Sequence, residues 1–127
     1  MKDHMKITLL LEEAAMTVLG IYGLIYYNLG LSFWIWLLLF FSPDIGMLGY
    51  LLNTSVGAFT YNLFHHKGLA LLIAATGFFA ENHILTAIGI LLFAHSAFDR
   101  MMGYGLKYAD HFKHTHLGWL SDKKGGL

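Results

Sequence analysis

LSFWIWLLLFFSPDIGMLGYLL, residues 31–52, decides the fold class. These 22 residues hold one charge, Asp44, and the only proline of the chain, Pro43. A helix of that length rises about 33 Å, enough to cross roughly 30 Å of hydrocarbon. Three similar stretches surround it, at about 7–28, 54–80 and 83–103, so four transmembrane helices are predicted. From Ala14 to Phe98 there are 85 residues and three formal charges, Asp44, Lys67 and Glu81, while the other 13 of the 16 charges lie in the two ends. A soluble domain of this size exposes most of its residues and could not leave such a stretch nearly uncharged. The absence of cysteine excludes a disulfide scaffold, the zero net charge a basic nucleic-acid binder, and the apolar content a disordered chain.

The expected fold is therefore all-α, a single membrane domain over residues 1–127 with a polar cytoplasmic tail at 104–127. The connections Asn28-Leu29-Gly30, Asn53-Thr54-Ser55 and Glu81-Asn82 are short, which makes neighbours antiparallel and favours an up-down bundle. The first apolar run is too long for a cleavable signal peptide and lacks a small-residue cleavage site. Lys2 and Lys6 precede the first span, and Arg100, Lys107, Lys113, Lys123 and Lys124 end or follow the fourth. The turns at 28–30 and 81–82 carry no lysine or arginine, so the positive-inside rule places both termini in the cytoplasm, as for a multi-pass inner (plasma) membrane protein.

Two spans are interrupted, the second at Pro43-Asp44 and the third at His65-His66-Lys67-Gly68. Proline removes a backbone donor, and irregular backbone at membrane depth is tolerated where it lines a cavity or is buried in protein. The alternative is that such breaks mark helix ends, with a half-helix in the interface. Counting along the helices puts Asp44 about 12 Å, His65 about 16 Å, His95 about 12 Å and Asp99 about 6 Å from the cytoplasmic ends of their spans. Each charged group in a helix centre costs about 2.5–3.5 kcal/mol on insertion scales, so polar groups from several helices at one level point to a shared polar cavity.

His95 and Asp99 are spaced i, i+4 and stack on one helix face. Such a pair can bind a divalent metal together, or the Asp can orient the His that does. Asn62 and His65 share a face of the third span; His66 points about 100° away, so only one of the two histidines aims at the site. Asp44 adds an oxygen donor. The structural alternatives are a helix-stabilising His95–Asp99 hydrogen bond and Asp44 as an N-cap. A further cluster in the tail, His111, His114 and His116, can be a metal site or simply solvated. Tyr104 to Tyr108 reads as an interface anchor, matched by Phe33, Trp34 and Trp36 on the other side.

The segments Ser42-Pro43-Asp44-Ile45-Gly46-Met47-Leu48-Gly49-Tyr50, Tyr61-Asn62-Leu63-Phe64-His65, Ala94-His95-Ser96-Ala97-Phe98-Asp99-Arg100, Gly103-Tyr104-Gly105-Leu106-Lys107-Tyr108 and Phe112-Lys113-His114-Thr115-His116-Leu117-Gly118 resemble an uncharacterised family of small bacterial integral-membrane proteins, known only as a domain of unknown function. The resemblance runs from Leu10-Leu11-Glu12 to Gly118; it implies a four-helix membrane domain and a bacterial source, and no activity. A weaker resemblance, in the Pro-Asp, the His of the next helix, the His-x-x-x-Asp and the Thr-His, is to membrane-bound metal-dependent hydrolases of bacterial inner membranes. It implies Asp44, His65, His95 and Asp99 as ligands or ligand supports, with His116 closing the site. The chain departs from that pattern: Ile45 follows Asp44 where a second acidic residue or histidine is usual, and no His-Arg precedes Thr115-His116.

The leading expectation is thus a metal-dependent membrane enzyme, a hydrolase acting on a lipid or amphiphile reached from the cytoplasmic leaflet. Zn, Mn or Fe would sit on Asp44, His65, His95 and Asp99, with His116 added; Glu12 would serve as general base, Arg100 and Lys107 would hold an anionic headgroup, and Asn62 and Tyr50 would complete the substrate site. A proton, ion or small-molecule transporter or binder using intramembrane Asp, Glu and His is the first alternative. A haem protein with His65 and His95 as axial ligands is the second. Membrane lipids are the expected partners, with no nucleic acid, and glycine-bearing helix faces leave room for a homo-oligomer.

Overall fold

The computed structural model describes residues 3–111 and 113–119, an all-helical chain with a small hairpin in its tail. Lys2, Lys123 and Lys124, used above for orientation, and Phe112 of the tail signature lie outside the described residues.

Helix α1, Asp3–Tyr26, ends in a turn whose Leu29 and Gly30 have positive φ. Helix α2, Phe33–Phe40, starts where Ser32 Oγ accepts from the Ile35 amide. It stops ahead of Pro43, and the chain winds on as a tighter 3-10 segment, Ser42–Leu51. The proline sits in the first turn of that segment, where its missing N–H costs no helical bond. Helix α3, Thr54–Phe64, is capped by the Asn53 side chain, and α5, His83–Met101, by Asn82.

The expected third span, 54–80, is two helices. Phe64 ends α3, and α4, Lys67–Phe79, begins again under a cap from His66, whose Nδ1 accepts the Leu69 amide at 2.9 Å. With 11 and 13 residues, each rises only about 16–20 Å, short of a bilayer crossing. Among the described residues, three stretches are long and apolar enough to cross a membrane: Asp3–Tyr26, Phe33–Leu51 and His83–Met101. A fourth crossing requires α3 and α4 together. Both predicted interruptions, at Pro43 and at His65, are present as breaks between helices.

Helix α5 is the central element, with α1 and α4 packed on it. Both contacts depend on missing side chains. A Cβ on Gly20 would lie 2.6 Å from that of Ala94, and one on Gly89 would lie 2.6 Å from the Ala74 Cα. Such small-residue faces let membrane helices approach closely where no hydrophobic drive holds them together. The large apolar side chains point outward instead, among them Leu19, Leu38, Leu51 and Phe79, as expected for a surface in contact with lipid tails. Helix α3 packs on the 3-10 segment through Gly46, Gly49 and Gly57, and the Thr60 hydroxyl donates to the Gly46 carbonyl. In the tail, β1 (His114–Thr115) pairs antiparallel with β2 (Gly118–Trp119).

Candidate metal centre

Asp44 reaches inward from the first turn of the 3-10 segment, His65 from the break that ends α3, and His95 and Asp99 from successive turns of α5. The donor atoms of these four residues lie within 4.8 Å of one another. His65 Nε2 is 3.0 Å from Asp99 Oδ2 and 3.4 Å from Asp44 Oδ1; His95 Nε2 is 3.1 Å from Asp44 Oδ1 and 3.5 Å from Asp99 Oδ2. The two Nε2 atoms are 3.0 Å apart. A tetrahedron built on bonds of about 2.0–2.1 Å has edges of about 3.3–3.4 Å. Five of the six donor separations lie near that length, and the two carboxylates stand further apart, within 4.8 Å, so a small inward movement of Asp44 or Asp99 completes a four-coordinate site. Both imidazoles are fully buried, while 41% of the Asp44 side chain is exposed and marks the mouth of the site.

The protons are fixed from outside the group. His65 Nδ1 lies 2.8 Å from the Tyr61 carbonyl and His95 Nδ1 lies 2.7 Å from the Phe40 carbonyl. A carbonyl only accepts, so both Nδ1 atoms carry hydrogen and donate. In neutral imidazoles both Nε2 lone pairs then face each other and two carboxylate oxygens. Four acceptors converging in a buried volume require a cation or added protons among them. A divalent ion meets that need, since two carboxylates neutralise it and the outward N–H bonds are the usual support for a ligating histidine.

The surroundings hold this arrangement in place. The Tyr61 ring stacks on His65 at 3.9 Å between centroids, and its hydroxyl donates to Asp99 Oδ2 at 3.2 Å. Phe40 meets the His95 ring edge-on at 5.6 Å. Tyr61 stands one helical turn before His65, a signal that was available in the sequence; the Phe40 carbonyl carried none.

The tail closes over Tyr61. Lys107 is buried, with Nζ 4.8 Å from the Tyr61 ring centre, and its backbone is held by Asn62. The Asn62 amide donates to the Lys107 carbonyl at 2.8 Å, and its Oδ1 accepts the Lys107 amide at 2.6 Å. Asn62, expected to bind substrate, is thus spent on anchoring the tail. Asn62→Ala should release it: two hydrogen bonds contribute about 1–3 kcal/mol together, so amide exchange at 105–111 and 113–117 is expected to accelerate by about 5- to 150-fold.

Burial pushes the Lys107 ammonium down to about 8 from 10.5, with Asp99 and Asp44 pulling it back up. The folded chain releases this proton near pH 8 and the unfolded chain near 10.5. Between those values the unfolded state binds more protons, so stability rises with pH. The melting temperature of the wild type relative to Lys107→Met should therefore climb from pH 8 to 10 and stay level from pH 6 to 7.

Several expected site residues lie elsewhere. Glu12 is exposed on α1 and outside the donor group; its neighbour Glu13 faces inward and pairs with Lys67. His116 is also outside the group, its Nδ1 accepting the Leu106 amide at 2.8 Å, and burial and the charge of Arg100 hold it below its ordinary pKa. Tyr50 lays its ring against Gly57. Arg100 donates from Nη2 to the His65 carbonyl at 3.1 Å, which ties it to the ligand break. Of the two adjacent histidines, His65 enters the site and His66 caps α4. His114 pairs with Asp110 at 2.9 Å in the tail.

Apolar helices long enough to span a membrane, closed around two histidines and two aspartates, define a membrane-type helical protein with a metal-competent centre. A family described as domain of unknown function (DUF4260) matches residues 6–120, and the chain belongs to it. No curated protein and no solved structure matches the chain.

Proposed function

We propose that Asp44, His65, His95 and Asp99 bind one divalent transition-metal ion, and that the protein is a metal-dependent hydrolase of a lipid or amphiphile in a bacterial inner membrane, with both termini cytoplasmic. The observation that carries the metal is the inward convergence of two Nε2 lone pairs and two carboxylate oxygens while both Nδ1–H groups are committed outward. The nitrogen and carboxylate donors suit Zn, Mn or Fe. A bound ion of this kind supplies Lewis acidity toward a carbonyl or phosphoryl oxygen. Around it, Tyr61 and the two backbone carbonyls hold the donors in orientation, and half-exposed Asp44 is the donor nearest to an incoming group.

The arrangement favours this reading over the haem alternative. Bis-histidine ligation needs a porphyrin plane between the two Nε2 atoms, and here carboxylate oxygens 3.0–3.5 Å from both fill that plane. The test is turnover of fluorogenic phospholipid and acyl-ester substrates by purified protein in micelles, with metal added back after chelation. Metal-restored hydrolysis that disappears in Asp44→Asn supports the proposal. Proton or ion flux in liposomes, lost in Asp44→Asn and accompanied by no hydrolysis, would replace it with the transporter reading.

A further inference from the structure

Beside the donor group, and distinct from it, a cavity of about 520 Å³ opens between the start of α1, the end of α5 and the tail. Its charged wall is Lys6 and Arg100; its apolar wall includes Ile7, Leu10, Met102 and Leu117. Among the described residues two cations and no carboxylate line it, so the cavity is electropositive on one side and greasy on the other.

Arg100 gives the cavity a chemical requirement. Its Nη2 is engaged with the His65 carbonyl, but its Nη1 is buried with no hydrogen-bond partner among the described residues. Among the described residues, the carboxylates close enough to act on this guanidinium are Glu13 and Asp99. Glu13 is paired with Lys67, and Asp99 receives the Tyr61 hydroxyl and faces both imidazoles. A buried guanidinium nitrogen left unpaired is a rare feature, and a small turn of the Arg100 side chain toward the cavity it lines would let an anionic acceptor from outside satisfy it.

The position fits such an acceptor. Lys6 and Arg100 belong to opposite ends of two antiparallel spans, where the apolar helices give way to polar chain. Anionic headgroups lie at that level, and Lys and Arg side chains reach toward them from helix ends.

We infer that this cavity binds an oxyanion carried on an alkyl chain, an anionic phospholipid or similar amphiphile, with the oxyanion between Lys6 and Arg100 and the chain along Leu10, Met102 and Leu117. The assignment stands on its own and holds whether or not the donor group carries a metal.

Native mass spectrometry of the full-length protein from a neutral detergent tests it, with phosphatidylglycerol, phosphatidylcholine or inorganic phosphate added. One phosphatidylglycerol is expected to stay bound where phosphatidylcholine and phosphate do not. Its apparent affinity should fall at least tenfold in Arg100→Gln and about fivefold in Lys6→Gln, the latter at roughly 1 kcal/mol per basic residue near a headgroup. Lys6 is exposed on the first turns of α1, so Lys6→Gln keeps the test decisive if Arg100→Gln does not fold. Equal retention of both lipids, or unchanged phosphatidylglycerol binding in Lys6→Gln, overturns the inference. Saturation by phosphate alone at lipid-like concentrations overturns its alkyl-chain half.

Discussion

His95→Ala is expected to weaken divalent-metal binding by at least about 100-fold, the upper end of what loss of even an outer-sphere support costs. His95 touches both carboxylates and its partner imidazole, so its removal leaves three donors and an unfilled volume beneath Phe40. Isothermal titration of Zn or Mn into chelator-treated protein measures the change. Binding of metal by the wild type also has to raise stability, because only the folded chain assembles donors from the 3-10 segment, α3 and α5. At a thousandfold excess over Kd that linkage contributes about 4 kcal/mol, visible as a melting shift that His95→Ala should not show.

Gly89→Leu is expected to have the largest effect on the fold itself. A Cβ at residue 89 already falls 2.6 Å from the Ala74 Cα and 2.7 Å from the Ala70 carbonyl oxygen, both backbone atoms that cannot swing aside. The remaining leucine atoms would force α4 off α5. Overpacking of this kind costs about 3 kcal/mol or more, so the variant should melt at least 10 °C lower in detergent or fail to purify folded. Phe79→Ala is the control: the residue is 83% exposed, and loss of its ring should leave the melting temperature within a few degrees.

The donor set was legible because polar side chains stand out in apolar helices. Asp44, His65, His95 and Asp99 were each singled out by depth and spacing, and the structure brings them to one point. What sequence could not carry was long-range. Asn62 looked like a site residue because it shares a helix face with His65, but its partner is the backbone of Lys107, 45 residues away. His116 is placed by its hydrogen bonds to Leu106, again across a loop that no local pattern reveals.

Two features that the sequence left open have local physical causes as well. Glu12 and Glu13 differ by about 100° around α1, a helix apolar on nearly every side, so no stripe indicated which of them faced inward. The run 54–80 looked like one interrupted span because its break is capped by a histidine ring nitrogen, outside the Ser, Thr, Asp and Asn set by which helix starts are recognised. That same cap resolved which of the neighbouring histidines points into the site.

Metal content is the most direct measure of the central claim. Wild-type protein purified without chelator and dialysed should hold close to one equivalent of a divalent transition metal by plasma mass spectrometry, and the His65→Ala and His95→Ala variants should hold almost none. A folded wild-type protein that carries no metal and binds none of Zn, Mn or Fe on addition would contradict the account.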